Sequence, residues 1–223
     1  MKGLIRAAAV VGIALMSVGA TPNWLVTVSK TDGGHLLGNP NAKVKLTTFE
    51  SYTCPHCANF EKEAAAELRI SYIQSGKVSL EVRHALRDPV DLTAAMLTEC
   101  VAPGKFFATH QAIFRNFDQI ARTLTSSSKA QQDRWYAQDK AAARRAIASD
   151  FGFYPLVATQ GLTRAQADQC LNNNALAQRL AEQDKADETK FKITGTPTFI
   201  LNGVKLIATY DWSLLKPQID ARL

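Results

Sequence analysis

Residues 54 to 57 read Cys-Pro-His-Cys, inside the stretch "TFESYTCPHCANFEKEAAAEL", and no other feature restricts the fold and chemistry of the chain as much. Two cysteines separated by two residues suit three chemistries: metal ligation, a static local disulfide, or reversible electron exchange. Structural zinc takes four ligands, commonly in two close pairs. The other cysteines, Cys100 and Cys170, are far apart, and neither has a partner two or three residues away. Covalent haem attachment requires histidine directly after the second cysteine, and that position is Ala58. Electron exchange accounts for the neighbours as well as the sulfurs. A short β-rich segment, Lys43 to Phe49, precedes the motif and a helical pattern begins at it. Cys54 then falls at the helix N-cap, where unpaired backbone N–H groups and the positive end of the helix dipole favour a thiolate. Pro55, at the first helical position, costs no hydrogen bond, and a protonated His56 adds positive charge. Cys57 lies one turn in, sharing a side with Phe60, Ala64 and Leu68, while Glu61, Lys62, Glu63 and Glu67 face elsewhere. Cys54 is therefore expected to be the exposed nucleophile and Cys57 the buried resolving thiol. A static disulfide is the competing reading.

The compartment bears on that choice. The first twenty residues, "MKGLIRAAAVVGIALMSVGA", set Lys2 and Arg6 ahead of an apolar run and end on small residues. This is the outline of a cleaved signal peptide, and the run is shorter than a membrane span requires. The chain is expected to be exported to the periplasm, where disulfides are chemically permitted. When Lys2 and Arg6 leave, the formal charge of +6 falls to +4. That excess is too small to argue for nucleic acid. Interspersed charges, as in "AEQDKADETK", read as solvated helix faces.

The order of elements is the second constraint. "TDGGHLLGNPNA" reads as a loop within a leader over residues 21–40. A strand over Lys43 to Phe49, the helix at the cysteine pair, and a second strand in "KVSLEVRHAL" make a βαβ unit. Helical patterns follow in "DLTAAMLTECVA", "GKFFATHQAIF", "AQQDRWYAQDKAAARRAIASDF" and "TRAQADQCLNN", the last capped by Thr163, with "TLTSSSKA" as a loop. A further helix, "ALAQRLAEQDKADETKF", leads to "TPTFILNGVKLIA", a hairpin about Asn202-Gly203. "WSLLKPQIDARL" closes the chain as a helix in which Pro217 suits only the first turn or a break. The fold class is α/β, a sheet built from the two ends of the chain and interrupted by helices over residues 91–180.

The stretch "TFESYTCPHCANF" after a strand, together with "ITGTPTFILNG" near the C-terminus, resembles the thioredoxin-fold thiol-disulfide oxidoreductases of the DsbA type. The resemblance implies a thioredoxin-like domain over 41–90 and 181–223, interrupted by an α-helical insertion domain over 91–180. It assigns to Pro197 a cis peptide bond beside the active pair, and to Thr196 the backbone groups that receive an extended client by strand addition. Cys100 and Cys170 would form a second, structural disulfide, worth about 4 kcal/mol in a chain-entropy treatment. Two free buried thiols are the alternative. The family carries glutamate six residues before the first cysteine, where this chain has Thr48; the nearest acid, Glu50, lies four residues before it.

The implied activity is transfer of the Cys54–Cys57 disulfide to exported proteins with free cysteines, without cofactor or metal, by a monomer reoxidised by a DsbB-like membrane oxidase. Thr196 also resembles the isomerase branches, so an isomerase or reductase kept reduced by a membrane electron donor is the nearest rival. A redox-inert chaperone is the rival from another class. His35 is read as part of the leader loop, and His84 and His110 as core or surface histidines. Phe106, Phe107, Phe114 and Phe117 are expected in the core of the insertion, and Trp135 and Tyr136 are expected to pack.

Overall fold

The protein is described by a computed structural model over residues 22–223. The signal peptide expected at residues 1–20 lies outside the described residues. The centre of the fold is the strand Val44–Glu50 (β3), paired along both edges and buried on both faces from Thr48 onward because Phe60 and Leu215 cover one face and Phe191 the other. Val44 and Leu46 join one cluster of buried side chains with Phe60, Phe199 and Leu215, whereas Phe49 packs with Ala85 and Ile200 on the opposite face. Val78–His84 (β4) runs parallel to β3, with Leu46 opposite Leu80, and Thr198–Leu201 (β5) runs antiparallel on the other side. Val204–Lys205 (β6) returns from β5 through Asn202 and Gly203, both at positive φ, as an Asn-Gly hairpin demands.

The leader is not a loop. Val28–Lys30 (β1) and His35–Gly38 (β2) extend the sheet to six strands in the order β1-β2-β4-β3-β5-β6. Leu37 and His35 are buried there, because β2 pairs with β4 and covers an edge that would otherwise be open.

The helix Pro55–Glu67 (α1) connects β3 to β4 and widens into one π-helical stretch, Leu68–Ile73. Between β4 and β5 lie Pro89–Cys100 (α2), Phe106–Arg115 (α3), Phe117–Ser126 (α4), Lys129–Trp135 (α5), Lys140–Asp150 (α6), Phe153–Ala158 (α7), Arg164–Asn172 (α8) and Asn174–Phe191 (α9). Trp212–Asp220 (α10) closes the chain. Most of α2 is buried, and it packs with Phe151, Phe153, Val157 and Leu171 in a cluster that also includes both thiols of the Cys-Pro-His-Cys motif. None of the described helices is long and apolar enough to cross a membrane.

Several local expectations are overturned. "TLTSSSKA" is largely helical: the hydroxyls of Thr123, Thr125 and Ser126 bond back to carbonyls one turn earlier, so α4 absorbs them. The single long helix expected over 130–151 is two, because the Asp139 side chain accepts from the Ala142 N–H and starts a new helix at Lys140. Pro217 lies inside α10 rather than in its first turn or at a break. Phe106 and Phe107 pack with the sheet and α1, not with the core of the other helices; Phe114 does join that core, and Phe117 is half-buried. Tyr136 is 62% exposed, while Trp135 is buried and donates its indole N–H to Asp150.

Candidate active site

Chain direction changes sharply between β3 and α1, and one buried carboxylate organises that turn. Asp91, at the start of α2, accepts from the Thr53 N–H at 3.1 Å, the Ser51 hydroxyl at 2.8 Å, the Thr53 hydroxyl at 3.1 Å and the Arg87 N–H at 3.0 Å. Asp88 caps α2 through the Val90 and Asp91 N–H groups and also accepts from Thr53. The residues leading into Cys54 are thus tied to the first turn of α2. Sequence reasoning missed this link; the signal was the Asp88-Pro89 start of a helix, which marks a cap but not what the next acid will hold.

Cys54 sits at the N-cap of α1 with Pro55 after it, and both sulfurs are free thiols. Cys57 is fully buried. Cys54 is not the exposed residue expected, since only 3% of its surface is open; the exposed residues at this turn are Pro55 and His56. What Cys54 borders is an open groove of about 660 Å³, lined also by His56, Leu86, Arg87, Ile193 and Thr196. The Thr196–Pro197 bond is cis, and the Thr196 carbonyl accepts from the Cys54 thiol at 3.2 Å. Thr196 is half-buried at the groove while Pro197 is buried beneath it.

The two thiols are pushed apart in acidity. A hydrogen bond from the Cys57 thiol does most to hold Cys54 down to about 5, against the opposing effect of burial, and the Thr196 side chain helps. Backbone N–H groups of Cys57 and His56 add to this, although the neutral thiol closes no capping bond. His56 therefore contributes through its main chain at the helix start. The same geometry acts in reverse on Cys57: burial raises its thiol well above the ordinary value, and the hydrogen bond to Cys54 and the Glu50 carboxylate raise it further. Cys54 can thus attack and leave as a thiolate, while Cys57 stays protonated until needed.

Glu50 is the acid behind Cys57, with Thr48 buried two residues earlier on the strand. Its neighbours are Glu61 of α1 and His110 of α3, each with a carboxylate oxygen 3.6 Å from His110 Nε2. Glu61 was expected to face away from the apolar side of α1, yet it is buried with Cys57, Phe60 and Ala64, at the spacing that completes that stripe. His110 is a core histidine, and Tyr52 bonds its Nδ1 at 2.9 Å. His35, read from sequence as a loop residue, is buried against Glu99 at 2.8 Å and stacked on Phe106; His84 lies beside the same carboxylate. Burial holds His84 down to about 3. Cys100 and Cys170 join α2 to α8 as a disulfide with Cα atoms 6.2 Å apart.

Residues 30–221 match a family model described as Thioredoxin. A relative from Rickettsia felis, named provisionally as a protein-disulfide oxidoreductase, is 29% identical over 199 residues, covering 89% of this chain and 63% of the relative. A Rickettsia conorii relative of the same provisional name is 28% identical over 198 residues, with 89% and 63% covered. The chain thus spans about 63% of the length of these curated relatives. Among solved structures, a protein-disulfide isomerase from Novosphingobium aromaticivorans aligns with a TM-score of 0.82 at 46% identity, covering 86% of this chain and 97% of that one. The alpha-DsbA1 of Wolbachia pipientis aligns at 0.68 and 21% identity, with 90% and 95% covered, a likeness of fold.

Proposed function

This chain belongs to the thioredoxin family, and from that membership and the geometry at Cys54 we propose that it is a protein-disulfide oxidoreductase that passes a Cys54–Cys57 disulfide to client cysteines. The observation that carries the reading is the opposed acidity of two sulfurs sharing one helix turn, with Cys54 held at about 5 beside an open groove. In the donor direction, a client thiolate attacks Cys54 of the disulfide, forming a mixed disulfide and releasing Cys57, which takes a proton. A second client thiolate then attacks the client sulfur of that bond; the client gains a disulfide and Cys54 leaves as a thiolate. Two electrons pass from client to the pair. Stabilising the leaving thiolate stabilises the reduced enzyme and so makes the pair oxidising.

The client would dock in extended form against Thr196, whose main chain borders the groove ahead of β5. The signal-like N-terminus supports work in the periplasm, as a monomer whose pair is restored by a DsbB-like membrane oxidase. A second reading rests on the 46% identity to a protein named as an isomerase, in which the pair is kept reduced and reshuffles client bonds. Incubating the oxidised protein with a reduced, unfolded client, and counting client thiols over time, tests the donor reading. Catalysed loss of client thiols supports it, whereas reshuffling of scrambled client disulfides only by the reduced protein supports the second.

A further inference from the structure

Glu50, Glu61 and His110 come from three rigid elements, the end of β3, the middle of α1 and α3, and all three are at least nine-tenths buried. Both Glu50 oxygens, one Glu61 oxygen and His110 Nε2 have no hydrogen-bond partner among the described residues. Buried polar atoms are rarely left so, because each unmet group costs about 1–3 kcal/mol. The spacing is informative. His110 Nε2 lies 3.6 Å from a Glu50 oxygen and 3.6 Å from a Glu61 oxygen, and donor atoms of the three residues lie within 4.8 Å of one another. An N–H to carboxylate hydrogen bond closes to about 2.7–2.9 Å, so 3.6 Å is too long for one. Ligands at about 2.0–2.2 Å from a tetrahedral zinc ion stand roughly 3.3–3.6 Å apart, and both distances from His110 Nε2 to the carboxylates reach the upper end of that range.

We propose that Glu50, Glu61 and His110 form a buried binding site for one divalent transition-metal ion of the zinc class. Two carboxylates and a neutral imidazole balance a divalent ion, leaving no net charge in the interior. Tyr52 holds the ring through its Nδ1 at 2.9 Å; in the Nδ1–H tautomer that a metal at Nε2 requires, the Tyr52 hydroxyl accepts this bond. A narrow hollow of about 10 Å³, bordered by Glu61, His110, Arg69, Gln111, Leu68 and Phe107, has just the room one water molecule needs as a fourth ligand. On its outer side Glu61 also borders an open hollow of about 590 Å³ with Arg69, Gln111 and Phe114, the side from which an ion can arrive. Calcium and magnesium suit the site poorly, since they take six or more oxygen ligands and not imidazole.

The test uses the purified chain carrying Cys54→Ser and Cys57→Ser, so that thiols cannot bind the ion themselves. Cobalt(II) is titrated as a spectroscopic probe, zinc displaces it, and bound metal is counted after dialysis. One equivalent of cobalt with the visible absorption of a four-coordinate N/O site is expected. Glu61→Gln and His110→Gln should each weaken binding by about tenfold or more, in protein shown to be folded by circular dichroism. Because either variant can fail to fold, the ¹⁵N resonances of the His110 ring are followed in the parent as zinc is added, and Nε2 is expected to shift to a metal-bound position. Absence of stoichiometric cobalt and zinc binding by folded parent protein overturns the proposal. So does binding that leaves the His110 ring resonances in place, or that persists undiminished in folded variants.

Discussion

The Cys54 sulfur lies 3.2 Å from the main-chain oxygen of Thr196, a residue 142 positions further along the chain. As a thiol, Cys54 donates to that carbonyl; as a thiolate it cannot, and the Thr196 side chain and the Cys57 thiol are what hold the charge. One residue thus serves the reduced sulfur in both protonation states while bordering the groove where a client would lie.

Loss of the nucleophile and loss of the resolving thiol should differ. Cys54→Ser should abolish thiol exchange, whereas Cys57→Ser should still attack and then accumulate mixed disulfides with clients. Non-reducing electrophoresis after acid trapping reads both outcomes. Preferential alkylation of Cys57 over Cys54 in the wild type would reverse the assignment.

The acidity of Cys54 predicts a pH dependence with a definite sign. Thiolate absorbance should titrate with a midpoint near 5. Because the folded value is depressed below that of the unfolded chain, ionisation stabilises the folded, reduced protein. That gain is fully present above the unfolded value of about 8.5 and is lost as pH falls through about 5. The oxidised protein lacks the thiolate, so the melting temperature of the reduced form relative to the oxidised one should rise between pH 5 and pH 8. A flat difference across that range would sink the electrostatic account.

Thr196→Val and His56→Ala separate two sources of that acidity. The valine removes a side chain that lowers the Cys54 value, and its thiolate titration should move upward. The exposed His56 acts through its N–H, which alanine keeps, so His56→Ala should change the midpoint less than Thr196→Val. An opposite ranking would restore the imidazole charge as the second influence, beside the helix end, that the sequence led us to expect.

Asp91→Ala should destabilise the protein by about 2–3 kcal/mol, since it strands donors from Ser51, Thr53 and Arg87. It should also slow exchange, because those bonds hold the turn into Cys54. Denaturant melts and single-turnover exchange with a small disulfide would report the two effects; stability loss with unchanged exchange would limit Asp91 to a scaffold role.

Replacing Cys100 and Cys170 together by alanine should lower stability by up to about 4 kcal/mol and leave most exchange activity. The bond closes 70 residues of chain between α2 and α8. Thermal melts with and without reductant check the first half, and client oxidation checks the second.

Short-range physics made part of this protein legible in its sequence. A proline directly after a cysteine at a strand–helix boundary, an apolar stripe through Cys57, Phe60 and Ala64, the Thr163 cap and the Asn202-Gly203 turn all act within a few residues of themselves, and those elements stand where their signals lie. The two strands of the leader were not legible, because "HLLG" has weak intrinsic preference and becomes a strand only by pairing with β4. The same holds for the meeting of Glu50, Glu61 and His110. A glutamate in a helix ordinarily faces water, and only the approach of α3 to α1 decides that Glu61 does not. The chemistry of the cysteine pair was local, set within one helix turn by the Cys57 thiol and the backbone N–H groups; its partners Thr196, Asp91 and Glu50 were brought to it by packing, which joins side chains irrespective of their distance along the chain.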